Sequence, residues 1–516
     1  LNPPKPEVSV PSSKPTASPT VTRQLLAVEK LSQALTQRVG SFYEQGIDLK
    51  YIESNNLDSK ILLQTKRNQH SGATRELLLQ KQRLDEIILP HQQESRVILD
   101  NILHLLIDKK NSRRHFEIIL GTILLNYPID KSDAKFRNRI EISKSLKPMY
   151  QCALMSLLLD SMLKDGYQFK SQYLSDLLSD YKLEQIKIQE SKEKEIRNKK
   201  QVSQNPALTE LQQIFVELIY LKEMGLYSPK SLEILERTGE NNLLDMNNRQ
   251  ELLAQSKLSA QQFHHYGVGV LEIRAVLPVD STYRSRSFYN KKFNSEETQD
   301  TKKQELEKQQ QEKDKAERIA QMKQAARFTF IKEQMDPKAS ASSEIEELLK
   351  VCRVYSSFIL SVKTTVDKEL HIKAYDMMKK QAQAGELNQY FTDKLLSMMG
   401  RFPIGSGIYF IEMRRHAHEN GSVDKAVVVG LNPFDADEPI ARRVTTNYRY
   451  KLAVTTGTVS KAFNLYFEAA RDVEIFSEKL QKRFRTQYKA EDGDTHYSFR
   501  ANDAFRTLAI SDKKLW

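Results

Sequence analysis

Two histidines stand side by side in "QQFHHYGVGV" (residues 261–270), at His264 and His265. Imidazole is the commonest metal ligand in proteins, and a bound metal ion can make hydroxide at neutral pH for hydrolysis. One helix cannot surround an ion, so such a site needs further imidazoles or carboxylates converging from other segments. The bland alternative is two rings packed beside a turn. His416 and His418 in "RRHAHENG" fall in an expected hairpin loop and read as solvent-exposed side chains. The "PIGSG" run at 403–407 has backbone that can cradle an anion, although a strand-entry turn is the plainer reading. Cys152 and Cys352 are too few for a disulfide framework or a thiolate zinc site and lie in apolar helical patterns, as buried inert thiols do.

Helices must position these residues. From Thr22 to Lys147 the pattern is helical, with Leu25, Val28, Leu31 and Leu35 on one stripe and Ile98, Ile102 and Leu105 on another. In "NPALTELQQIFVELIYLKEMG", Asn205 is a plausible N-cap and Pro206 opens the first turn. Leu211, Ile214, Leu218 and Leu221 share a face there, and Gly225 marks the end. Ser343 and Glu346 are spaced as a capping box ahead of "IEELLKVCRVYSSFIL", and another helix stops at Gly400. Beyond Arg401 the period changes. "GIYFIEM", "KAVVVGL" and "RRVTTNY" read as strands of a small antiparallel sheet. After Thr458 a helical stripe is expected through Phe463, Tyr466, Phe467, Ala470, Val473 and Phe476.

The 516 residues divide into a proline-rich linker at 1–22 and an N-terminal helical region at 23–147. A helical domain at 148–400 follows, with a charged insertion at 285–340, then a small β element at 401–458 and a C-terminal helix and tail at 459–516. The 79 basic and 67 acidic residues leave a net charge of +12, but the two signs are interleaved along most of the chain. A nucleic-acid groove needs basic residues gathered on one face with stacking aromatics or a known motif. Neither is visible, so no nucleic-acid role is expected. The longest apolar run, "FEIILGTILL" (116–125), is too short to span a bilayer. A cytoplasmic location is expected, with an upstream anchor left open because the chain begins at Leu1.

The order of features resembles the HD-GYP proteins, bacterial phosphodiesterases of cyclic dinucleotides. The resemblance is carried by "VCRVYSSFILS", "HIKAYDMMKKQAQAGELNQYFTDKLLSMMG", "RFPIGSGIYFIEM" and "KAVVVGLNPFDADEPIARRV". It is fainter in "QCALMSLLLDSML", "DLLSDYK", "SPKSLEILERTG" and "QFHHYG", and covers residues 145–275 and 344–455. It implies a mainly α fold: an HD-type helical bundle with a small antiparallel β element near the C-terminus and additional N-terminal helices.

The resemblance also implies where metal ligands would stand. The HD pair falls on Ser179 and Asp180, a further histidine near Tyr227 (or near Tyr220 if the gap is placed differently), the histidine pair on His264 and His265, and a ligating aspartate on Arg353. The GYP segment is replaced by "GVGVLEIRAVLP", and no histidine occurs between His115 and His264. Asp180, His264 and His265 are thus the remnant of a metal site, while Ser179, Tyr227 and Arg353 are substituted positions. No metal is expected, a residual divalent ion at Asp180, His264 and His265 being the exception left open, and Arg353 is expected to pair with Asp180. The function implied is that of a catalytically inactive regulatory or scaffolding module that binds a protein partner. A non-hydrolysing cyclic di-GMP receptor is the alternative, and an active metal-dependent phosphodiesterase the third reading.

Overall fold

The computed structural model describes residues 20–66, 72–107, 113–128, 137–179, 206–238, 244–269, 318–319, 321–336, 343–362, 370–412, 422–444 and 456–471, with isolated positions beyond. Helix α1 (Thr20–Glu44) buries Leu25, Val28, Leu35, Val39 and Phe42, a stripe at three-, four- and seven-residue steps. It lies against α3 (Gly72–Leu106), which turns back along α2 (Ile47–Lys66). Helices α4 (Arg113–Asn126) and α5 (Arg139–Lys164) follow. From Met149 to Leu159 every residue of α5 is buried. A helix apolar on all sides belongs at a centre, and α5 packs on α4, on α7 (Pro206–Met224) and on a later helix. Residues 172–179 form α6.

Gly225 lets the next segment approach closely. Helix α7 passes into a 3₁₀ turn (Gly225–Tyr227), then α8 (Pro229–Glu236) and α9 (Met246–Gln262). A Cβ on Gly225 would overlap the Ser256 carbonyl oxygen of α9. Buried hydroxyls tie the same junction: Ser259 donates to Ser228 Oγ at 2.8 Å, and Ser231 donates to the Gly225 carbonyl at 2.9 Å. Helix α9 ends in a π-helical turn (Phe263–Val268) that carries the histidine pair.

The expected insertion at 285–340 is corrected in its last third. Residues 321–335 form a helix, α10, and Phe330, Ile331 and Met335 on it are buried in the main core. The charged run "ETQDTKKQELEKQQQEKDKAER" gives way to enough apolar side chains there to anchor one face; most of the run lies outside the described residues. Helices α11 (Glu344–Ile359), α12 (Leu370–Gln383) and α13 (Gln389–Met399) complete the helical part. One core reaches from Leu25 to Leu431, so the regions 23–147 and 148–400 fold around shared side chains.

Gly400, at φ +68°, ends α13 and leads to a four-stranded antiparallel sheet in sequential order. Its strands are β1 (Gly407–Glu412), β2 (Ser422–Val428), β3 (Ile440–Val444) and β4 (Gly457–Thr458). Ile408, Ala426, Val428 and Ala441 gather with Ile372 and Phe402 in a second, small core. The "PIGSG" backbone is a strand-entry turn: Gly405 N–H donates to the Val428 carbonyl and Ser406 N–H to the Pro403 carbonyl, both at 2.9 Å. The helical stripe expected after Thr458 is corrected as well. Lys461–Phe463 form a 3₁₀ turn, Asn464 bridges to Phe410 of β1, and Leu465 N–H donates to the Tyr409 carbonyl. A turn then leads to a single helical turn at Glu468–Arg471, so no continuous helix carries the stripe there. Tyr466 and Phe467 pack on the sheet core; Val473 and Phe476 lie outside the described residues. The fold is mainly α with a small antiparallel sheet near its C-terminal end. No helix among the described residues is long and apolar enough to cross a membrane.

Candidate functional site

The π-helical turn aims the two histidines into a layer of rings. His264 is completely buried and stacks on Phe328 of α10, with centroids 4.5 Å apart and planes 26° apart. His265 lies 4.8 Å from Tyr266, 5.7 Å from Tyr51 of α2 and 6.1 Å from Phe328. Neither ring nitrogen of His264 has a hydrogen-bond partner among the described residues. Burial pulls its pKa down to about 3; Glu217 opposes that shift, and Arg96 and Lys332 add to it. The ring is neutral and sits as an aromatic plate.

Beside it lies a buried carboxylate. Glu217, on α7, accepts Arg96 Nη1 of α3 at 2.8 Å on one oxygen and Arg327 Nε of α10 at 3.0 Å on the other. Burial alone would raise its pKa, but the two guanidiniums prevail and hold it at about 2. Three helices are joined at this carboxylate. A divalent ion brought to His264 would meet Arg96 and Arg327, and the neighbouring carboxylate is already committed to them. Among the described residues, which do not include Asp180, no group of three or more His, Cys, Asp or Glu side chains is arranged to hold a metal ion.

The other positions implied by the resemblance lie apart from this cluster. Asp180, and with it the expected Asp180–Arg353 pair, falls outside the described residues, as do His416 and His418. Ser179 is exposed at the end of α6, where its hydroxyl donates to the Asp176 carbonyl at 2.7 Å. Tyr227 packs against the main core, its phenol pushed up by burial. Arg353 approaches Glu346, one face and two turns back on α11, with Nη2 at 3.6 Å from Oε1. Arg353 lines a cavity with residues of α5, α7 and α9, and His264 is not part of that lining.

Sequence reasoning missed the place to which Arg353 belongs. A cavity between α5, α7, α9 and α11 is lined by Gln151, Lys222, Glu223, Lys257, Leu349 and Arg353, among others. Glu346 stands at its edge. Ser343 caps α11 by accepting the Glu346 N–H at 3.1 Å, as the capping spacing implied. The Glu346 carboxylate turns away from the cap, pairs with Lys222, and lies 3.5 Å from Lys257 Nζ. Burial raises its pKa, and Lys222 and Arg353 outweigh that and lower it. Cations at positions 147, 222, 257 and 353 converge here from four helices, a grouping with no local trace in the sequence.

No family model, no curated protein and no solved structure matches the chain. The resemblance to the HD-GYP proteins therefore rests on the residues quoted for it.

Proposed function

We propose that this chain is a non-hydrolysing, HD-GYP-like helical protein that serves as a regulatory or scaffolding module, binding a partner protein in a bacterial signalling or assembly complex. The observation that carries this reading is the commitment of Glu217. A metal hydrolase keeps a buried carboxylate beside an imidazole for its ion. Here both carboxylate oxygens are taken by Arg96 and Arg327, and the imidazole next to them stacks on Phe328. At the position where the resemblance implies an aspartate stands Arg353, whose guanidinium would oppose a bound cation. These groups join helices, which is what a fold retained for its shape requires.

The α2–α3 hairpin supports the interaction role. Leu62 and Leu63 on α2 and Leu78 and Leu79 on α3 are all half exposed or more. Exposed leucines on two packed helices fit an apolar stripe on a helix of the partner. The test uses the full chain as bait beside a variant with Leu62, Leu63, Leu78 and Leu79 each changed to Asp. A stoichiometric protein partner that binds the parent in a purified reconstitution and is lost from the variant supports the reading. Metal-dependent turnover of cyclic di-GMP by the purified parent contradicts it.

A further inference from the structure

We propose that the cavity between α5, α7, α9 and α11 is a binding site for a small organic phosphate monoester. This goes beyond the non-hydrolysing reading and stands on different residues from the histidine pair. The cavity measures about 90 Å³, several times the ~10–15 Å³ that one water needs. Lys222 of α7, Lys257 of α9 and Arg353 of α11 line it, so three helices each contribute one cation. Lys147 of α5 stands close enough to act on Glu223 and to be acted on by Arg353.

The lining holds three cations and one carboxylate, Glu223; with Glu346 beside it and Lys147 near Glu223, the formal excess is two positive charges. One Glu346 oxygen takes Lys222; the other is shared between Lys257 at 3.5 Å and Arg353 at 3.6 Å, both long for a hydrogen bond. An ammonium has three donors and a guanidinium five, so Lys257 and Arg353 keep donors for another acceptor. A phosphate monoester brings roughly −1.5 to −2 charges and three terminal oxygens at neutral pH. That matches both the charge excess and the three helices. A phosphodiester linkage brings one charge and only two such oxygens.

The rest of the lining fixes the remainder of the ligand. Ile219, Leu226, Leu253 and Leu349 supply apolar wall beside the cations, and Leu253 reaches solvent. The phosphoryl group would sit inward, with a short hydrocarbon or ring against the leucines. Burial pulls Lys147 and Lys222 down from their ordinary pKa and pushes Glu223 up. A dianion stabilises the charged lysines and ties α5, α7, α9 and α11 together. Such a ligand would couple a small-molecule signal to the shape of the bundle.

Calorimetric titration of the full chain at low salt with phenyl phosphate, inorganic phosphate, phenol and cyclic di-GMP tests the site. Phenyl phosphate is expected to bind saturably and about tenfold more tightly than inorganic phosphate, with no saturable heat from phenol. Arg353→Gln and Lys257→Gln, both partly exposed positions, are each expected to weaken phenyl phosphate about tenfold while leaving the thermal melt in place. Should either variant fail to fold, protection answers the question: phenyl phosphate is expected to slow reductive methylation of Lys257 in the parent. Absence of saturable phenyl phosphate binding up to about 10 mM, unchanged affinity in folded variants, or preferential binding of cyclic di-GMP overturns the proposal.

Discussion

Arg327 reaches Glu217 across 110 residues of sequence and donates through Nε at 3.0 Å to a carboxylate that is fully buried. The pair docks α10, the end of an otherwise charge-rich segment, onto the central helix α7. Changing Glu217 to Gln removes a buried counter-charge from Arg327 and leaves Arg96 with Asp100 alone, and breaking such a buried pair costs ~3–5 kcal/mol. Urea unfolding is expected to show that loss. A double-mutant cycle with Arg327→Gln should give a coupling above about 1 kcal/mol; additivity would mean that α10 is held by its apolar face alone.

Acid should weaken the fold in two windows. His264 has a folded pKa near 3 against an ordinary 6.5, so the unfolded chain takes up a proton first as pH falls. Stability attributable to the neutral ring is intact above pH 6.5 and drains away between 6.5 and 3. From pH 7.5 to 5 this is a loss of about 2 kcal/mol. Glu217, held near 2 against 4.5, contributes stability that is present above pH 4.5 and lost between 4.5 and 2. His264→Phe keeps the plate against Phe328, removes two unpartnered ring nitrogens and should flatten the upper window only. Equal pH slopes for parent and variant, measured by urea midpoints at pH 7.5 and 5, would assign the acid response elsewhere.

Gly225→Ala is expected to be among the most damaging single-methyl changes. The new carbon would overlap the Ser256 carbonyl, and the obstacle is backbone. Overpacking of this kind costs ~1–3 kcal/mol, and a backbone obstacle puts the change at the upper end. The shift of α9 should also break the Ser231–Gly225 and Ser259–Ser228 hydrogen bonds. A thermal midpoint within a degree or two of the parent would show that α9 yields without cost.

The four leucines of the α2–α3 hairpin make the opposite case. Each Asp substitution at Leu62, Leu63, Leu78 or Leu79 should change stability by no more than about 0.5 kcal/mol, because these side chains already face solvent. Large destabilisation in urea would place them in a core instead of on an interaction surface.

Local signals carried much of this fold. Ser343 caps α11, α7 starts at Pro206, Gly400 closes α13, and the three β-rich runs became neighbouring antiparallel strands. Each of these depends on residues a few positions apart. The fourth strand is two residues long and has no alternation to read. Helix α10 was hidden because its few apolar side chains follow a long charge run, and only the groove they enter makes them a core face. The charge clusters were invisible for a stronger reason. Arg96, Glu217 and Arg327, or Lys222, Lys257, Glu346 and Arg353, meet only after the helices pack, and pairing over such separations leaves no period. Glu346 shows the limit within one residue: its backbone followed the capping pattern, and its carboxylate went to Lys222.

The histidine pair remains the place where the account is most exposed. If His264 and His265 are packed rings beside an arginine-held carboxylate, added metal has nothing to complete. The direct measurement is turnover of cyclic di-GMP by the purified full chain with Mn²⁺, Fe²⁺ or Mg²⁺ supplied, beside the His264→Phe/His265→Phe variant. The expected result is no turnover from either protein and the same thermal midpoint with metal as with chelator. Metal-dependent hydrolysis by the parent that disappears in the double variant would contradict the account.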